Sequence, residues 1–204
     1  MKKLLILLIL LLEVKVYALR PFITDDGRIS EPSQLITETS LRIDKYSFQH
    51  LTIFSLGLNK WLELGYGLSY GFTPNFSIIG PLLQFKFQLL HITNDIPGIT
   101  ISSGTLFPFG YGDLIPSSYN WFNYMAITKL LWNDFIEIHS NIGMFLNKID
   151  NLHLSLIWGL GIQSKIYKIL YFCTELVSGD PYNIRSSGMY QNGFRFFISN
   201  FLQL

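Results

Sequence analysis

The sequence predicts an all-β protein: an antiparallel transmembrane β-barrel of about ten strands, within a range of about eight to twelve, behind a cleaved signal peptide. Three observations carry this expectation. The chain opens on a short basic and then apolar leader. The remainder is very apolar but contains no run long enough for a membrane helix. Along most of its length large apolar residues alternate, with a period of two, with small or polar ones.

Residues 1–18 read as the signal peptide. Met1-Lys2-Lys3 is the basic start, Leu4 to Leu12 is unbroken apolar sequence, and Val16-Tyr17-Ala18 places small residues where a signal peptidase needs them, so cleavage is expected after Ala18. A spanning helix needs ~20 apolar residues, and Glu13 and Lys15 block any extension of the run. No cysteine follows the apolar run, which argues against a lipid-anchored lipoprotein. The expected organisation is therefore leader 1–18, an N-terminal periplasmic, plug-like segment at 19–33, and an outer-membrane barrel over 34–204.

Composition narrows the class. Hydrophobic residues make up 49% of the 204 residues and charged residues 14%, where soluble domains carry ~25% charge. Aromatic residues reach 16%, with 17 Phe and 11 Tyr. A net charge of +1 gives no electrostatic case for nucleic acid. Cys173 is the only cysteine, so it has no internal disulfide partner, and no metal-ligand spacing surrounds it.

The strands follow from the alternation. In 62–72, Leu62, Leu64, Tyr66, Leu68, Tyr70 and Phe72 share one face, opposite Glu63, Gly65, Gly67, Ser69 and Gly71. In 151–163, Leu152, Leu154, Leu156, Trp158, Leu160 and Ile162 oppose His153, Ser155, Gly159, Gly161 and Gln163, with Ile157 breaking the polar face. Runs 135–146, 83–89 and 34–44 behave alike, and less regular strands are expected near 48–58, 96–107, 119–131, 168–178 and 188–200. Turn residues separate them at Asn59-Lys60, Thr73-Pro74-Asn75, Trp132-Asn133-Asp134, Asn147 to Asp150 and Ser164 to Lys168, with longer loops at 110–118 and 179–187. Soluble strands average ~5–6 residues, and these longer runs suit tilted membrane strands. Alternation alone does not distinguish a soluble sandwich from its inside-out membrane relative. The leader, strand length, low charge and aromatic load favour the latter, and Trp61, Tyr119, Trp121, Trp132 and Tyr167 fall where interfacial belts would lie.

The predicted polar face supplies the candidate lumen-lining residues: Glu38, Arg42, Glu63, Lys86, Glu137, His139, His153, Glu175 and Arg195. They either tune permeation or form a salt-bridge network that fills a narrow barrel, and the small diameter favours the network. Gly65, Gly67, Gly71, Gly159 and Gly161 share that face, leaving room or permitting curvature. Asp25 and Asp26 offer oxygen ligands to a cation, but with Gly27 they read better as a turn or tether, and the spacing is not that of a calcium loop. His139-Ser140-Asn141 contains hydrolase residue types, but neighbours on a strand point to opposite faces. No nucleophile elbow or His-Glu-x-x-His is present, so no catalytic residue, metal or cofactor is expected and the chain is not read as an enzyme.

The segment from Leu19 to Gly27, with Arg20, Pro21, Phe22, Thr24, Asp25 and Asp26, followed by Glu31-Pro32 and Gln34 to Asp44, resembles the opening of the outer-membrane barrel family named for the meta-pathway of phenol degradation. Leu106 to Gly110 and Tyr190 to Phe196 are similar to later strands of that family. The resemblance implies an outer-membrane barrel and passage of small apolar or aromatic compounds. The chain ends at Leu204 rather than on an aromatic residue, which points to a truncated or divergent member. The expected function is passive passage of small hydrophobic solutes, with membrane lipid as the surrounding partner. A structural or adhesive barrel acting through loops 110–118 and 179–187 is the alternative. A water-filled general porin is disfavoured, since those wide channels use ~16–18 strands.

Overall fold

The computed structural model describes residues 14–15, 25–43, 48–73, 76–107, 109–111, 119–133, 135–148, 152–167, 170–179 and 188–196. Among them every regular element is a strand: β1 (Val14–Lys15), β2 (Leu35–Ile43), β3 (Phe48–Asn59), β4 (Leu62–Thr73), β5 (Phe76–Leu90), β6 (Gly98–Leu106), β7 (Phe109–Tyr111), β8 (Tyr119–Leu131), β9 (Ile136–Lys148), β10 (Leu152–Tyr167), β11 (Leu170–Val177) and β12 (Met189–Phe196). All but β1 and β7 form one antiparallel meander in the order β2-β3-β4-β5-β6-β8-β9-β10-β11-β12. This is the expected set of ten long strands. The described pairings do not join β2 to β12, so the sheet is barrel-like but not closed. The two-residue β1, within the expected leader, pairs parallel with Leu35 and Ile36 on the outer edge of β2.

The alternation becomes a sharp difference in burial. On β4, Glu63, Gly65, Gly67 and Ser69 are buried while Tyr66, Leu68, Tyr70 and Phe72 are 40–55% exposed. On β5, Leu82, Gln84, Lys86 and Gln88 are buried, and Leu83, Phe85, Phe87 and Leu89 are exposed. A single-layer sheet can bury one face this completely only by curling onto itself. The buried apolar cluster shows the curl, since it runs from Ile53 on β3 through Phe122 on β8 to Ile157 on β10. The outer face is therefore largely apolar, while the inner face combines many buried polar and charged side chains with one apolar cluster, unlike a soluble domain.

Two strands are longer than the sequence predicts. β5 starts at Phe76 rather than near 83 and runs through Pro81, which sits where β5 changes neighbours, pairing with β7 at Ser77 to Ile79 and with β6 from Leu82 onward. β10 continues through Ser164 and Lys165, expected as a turn. There the ladder survives with a bulge between Lys165 and Tyr167, and the Lys165 ammonium lies 5.9 Å from the Tyr171 ring centre. At the β8–β9 turn Trp132 and Asn133 both hold positive φ, 50° and 52°, and Phe135 N donates to Trp132 O at 3.2 Å.

The strand directions place the turns near 60–61, 91–97, 132–135 and 168–169 at one end, together with the start of β2 and the end of β12. The loops at 107–118 and 178–188 lie at the opposite end.

Candidate functional site

Residues 25–31 form no regular element, yet they run against the inner face at the short-turn end and bond to five strands. The contact begins with charge. Lys86 on β5 donates from Nζ to Asp25 Oδ1 (3.1 Å), Asp26 O (3.1 Å) and Arg28 O (3.0 Å). Three acceptors satisfy all three ammonium protons, which matters because the Lys86 and Asp25 side chains are only 3% and 1% exposed. Tyr124 on β8 donates to Asp25 Oδ2 at 2.6 Å. Asn141 on β9, in the amide orientation that satisfies both groups, accepts from Asp25 N (2.6 Å) and donates to Asp25 O (3.2 Å).

Four further contacts extend the attachment. Arg28 bridges Asp26 (2.5 Å) and Glu137 on β9 (2.6 Å). Glu63 on β4 accepts from Ser30 N and Ser30 Oγ, both at 2.7 Å. Gln88 on β5 donates to Gly27 O (2.7 Å) and accepts from Ile29 N (3.1 Å). Thr128 Oγ1 accepts from Gly27 N (2.8 Å), lies 3.0 Å from Asp26 Oδ1 and meets His139 Nδ1 at 2.9 Å. Since Thr128 has one proton and gives it to Asp26, His139 Nδ1 must be the donor to Thr128. His139 Nε2 faces Glu137 at 3.5 Å.

The segment fits because two glycines lie where backbones meet. A Cβ on Gly27 would strike Gly98 O and Thr128 N, and one on Gly57 of β3 would strike the carbonyls of Ser30 and Glu31. Burial by itself raises the pKa of Asp26, but Arg28, His139 and Lys86 outweigh it and hold the carboxyl well below the usual range. Burial likewise lowers that of Arg28, but Asp26 and Glu137 together raise it, so the guanidinium stays charged.

Asp26, Glu137 and His139 bring ligand atoms within 4.8 Å of one another, the geometry of a cation site. Both carboxylates are already committed to Arg28. A metal would have to displace that guanidinium, so the arrangement works as a salt-bridged clasp.

Of the residues singled out from sequence, Glu63, Lys86, Glu137, His139, Asp25 and Asp26 come together here. Glu38 and Glu175 are buried on the same face, but on β2 and β11, away from the clasp. His153 has the inner-face parity but lies exposed near the start of β10. The side chains of Arg42 and Arg195, and Arg20, Pro21, Phe22 and Thr24 entirely, lie outside the described residues. Sequence reasoning passed over Arg28, Ser30, Gln88, Tyr124 and Thr128. Gln88 and Thr128 share strand parity with Lys86 and His139 and were open to detection by it. Arg28 and Ser30 sit on no strand, so periodicity carries no signal for them.

No protein-family model, curated protein or solved structure matches this chain.

Proposed function

We propose that the chain is an outer-membrane β-barrel that passes small hydrophobic or aromatic solutes, with residues 25–31 as a plug across its periplasmic half. The observation that carries this reading is the clasp: a segment outside the sheet held across the inner face by Glu63, Lys86, Gln88, Thr128 and Glu137. A network inside a membrane barrel must pair its charges or wet them, and this one pairs them through the plug. The apolar outer face suits lipid, and exposed Trp61, Trp121, Trp132 and Tyr167 lie at or near strand ends, where interfacial aromatics belong. The two longest connections, β6 to β8 and β11 to β12, leave from one end of the sheet, and the start of β2 and the end of β12 lie at the other, which suits an external and a periplasmic side. The resemblance to the phenol meta-pathway barrels points the same way. No catalytic step is part of the reading.

Movement of the plug would open the periplasmic half to a solute travelling down its gradient. Purified outer membranes and a gel with and without boiling test the first half of the proposal: the protein is expected there, with heat-modifiable migration. Liposome flux of small neutral solutes tests the second. Lys86→Met removes the ammonium that gathers Asp25, Asp26 and Arg28, and should raise flux above wild type. A folded Lys86→Met barrel without flux would favour a structural barrel, a reading that the dense packing of the interior also suits, since Phe122, Leu82 and Ile53 are at most 2% exposed.

A further inference from the structure

Beyond Tyr124 the interior changes character. Toward the long-loop end, Ile53, Leu82, Leu106, Phe122, Phe145 and Ile157 form one apolar cluster. Asn120 shares the inner face of β8 with Phe122 and Tyr124, and it is fully buried. In register it lies opposite Leu106 on β6 and Asn147 on β9. Among the described residues neither its amide oxygen nor its amide nitrogen has a hydrogen-bond partner. Asn141 also sits against the interior, and both ends of its amide are taken up by the backbone of Asp25. Asn120 stands four residues along β8 from Tyr124, ~13 Å at the rise of an extended strand. Plug residue Asp25 is anchored at Tyr124, so the described plug residues attach well short of the asparagine.

A buried amide with neither bond made is a standing cost to the fold, and such a group calls for an explanation. Leucine would fill the same position without that cost. We propose that Asn120 is the polar anchor of a binding subsite for a small, uncharged, mainly apolar molecule carrying one hydroxyl group. A primary amide presents one acceptor and a pair of donors, and a hydroxyl group both donates and accepts. A pure hydrocarbon would leave the amide unsatisfied, and a charged group would be stranded among Leu106, Phe122 and Phe145. Asn120, Phe122 and Leu82 have almost no exposed surface, so the molecule enters by local displacement of side chains at the long-loop end. The subsite deepens the proposed passage by naming what it selects, but binding needs only a folded barrel and not flux, so the two ideas can fail separately.

The experiment follows the Asn120 side-chain amide signals in nitrogen-15-labelled protein in detergent micelles, assigned by their loss in Asn120→Leu. Cyclohexanol and cyclohexane are the probes, matched in shape and differing by the hydroxyl. Cyclohexanol should shift the Asn120 signals saturably, and cyclohexane should not. Asn120→Leu should bind cyclohexanol about tenfold more weakly, the equivalent of one hydrogen bond, while keeping its heat-modifiable migration. Equal responses to both probes, or none to either, would overturn the subsite. So would an Asn120→Leu protein that no longer folds, because the amide would then be paired in the fold itself. In that case Asn120→Gln, which retains the amide, should restore folding and mark the role as structural.

Discussion

The two halves of the interior are built from the same strands and obey opposite rules. At the short-turn end the inner face is charged, and Glu63, Lys86, Gln88, Thr128 and Glu137 are all engaged by residues 25–31. At the long-loop end it is apolar, with the Phe122 and Tyr124 rings stacked at 5.7 Å, and its buried amide at Asn120 is unmatched. One half is closed by a segment of its own chain, and the other is closed by side-chain packing alone. Salt bridges hold their partners in fixed geometry, whereas apolar side chains repack among rotamers at modest cost. Under the proposed passage, the first half would serve as the lock and the second as the selective part.

The largest effect is expected from breaking the lock. Lys86→Met leaves Asp25 as a buried carboxylate without its cation and should destabilise the barrel by ~3–5 kcal/mol in a denaturant titration. Adding Asp25→Asn should recover part of that loss, because the stranded charge goes with it, and strictly additive losses would show that the pair is not coupled. Next is the outer face, which both halves share. Phe85 is 47% exposed in the middle part of β5, and Phe85→Arg should cost ~2–4 kcal/mol when folding is measured in lipid bilayers. A negligible cost there would mean that the apolar face does not meet hydrocarbon.

The apolar half has a more modest test. A Cβ on Gly104 would strike the Phe122 ring, so Gly104→Ala should destabilise by ~1–3 kcal/mol through overpacking while leaving Lys86 and its partners in place. The smallest effect concerns pH. Because the Asp26 carboxyl is held below its ordinary range, its stabilising contribution is complete above ~3.9 and disappears only as pH falls through the depressed folded value. Flux through wild type should therefore not change between about pH 5 and pH 8 on account of Asp26, and acid opening should begin only below about pH 4. Opening near neutrality would assign the switch to another group.

Period-two alternation was enough to find ten strands and to decide which side chains face inward, because a strand's geometry is local. The start of β5 and the continuation of β10 through Lys165 escaped it, since how far a strand extends is set by its pairing partners and not by its own pattern. The clasp was half legible. Glu63, Lys86, Glu137 and His139 announced themselves as polar residues in strand parity, while Arg28 did not, because its role is set by Glu137, 109 residues later. The unsatisfied amide of Asn120 had no sequence signature at all. An asparagine looks the same whether or not its partners exist.

That sequence separation also bears on the order of assembly. Gly27 meets Thr128 across 101 residues, and Arg28 meets Glu137 across 109. The hairpins from β2 to β9 can each zip locally, but these bonds join residues far apart in sequence and must await them. Residues 25–31 are thus among the last to settle. An intermediate lacking β9 has nothing for Arg28 to hold, so a seated N-terminal segment reports that the chain has folded at least that far.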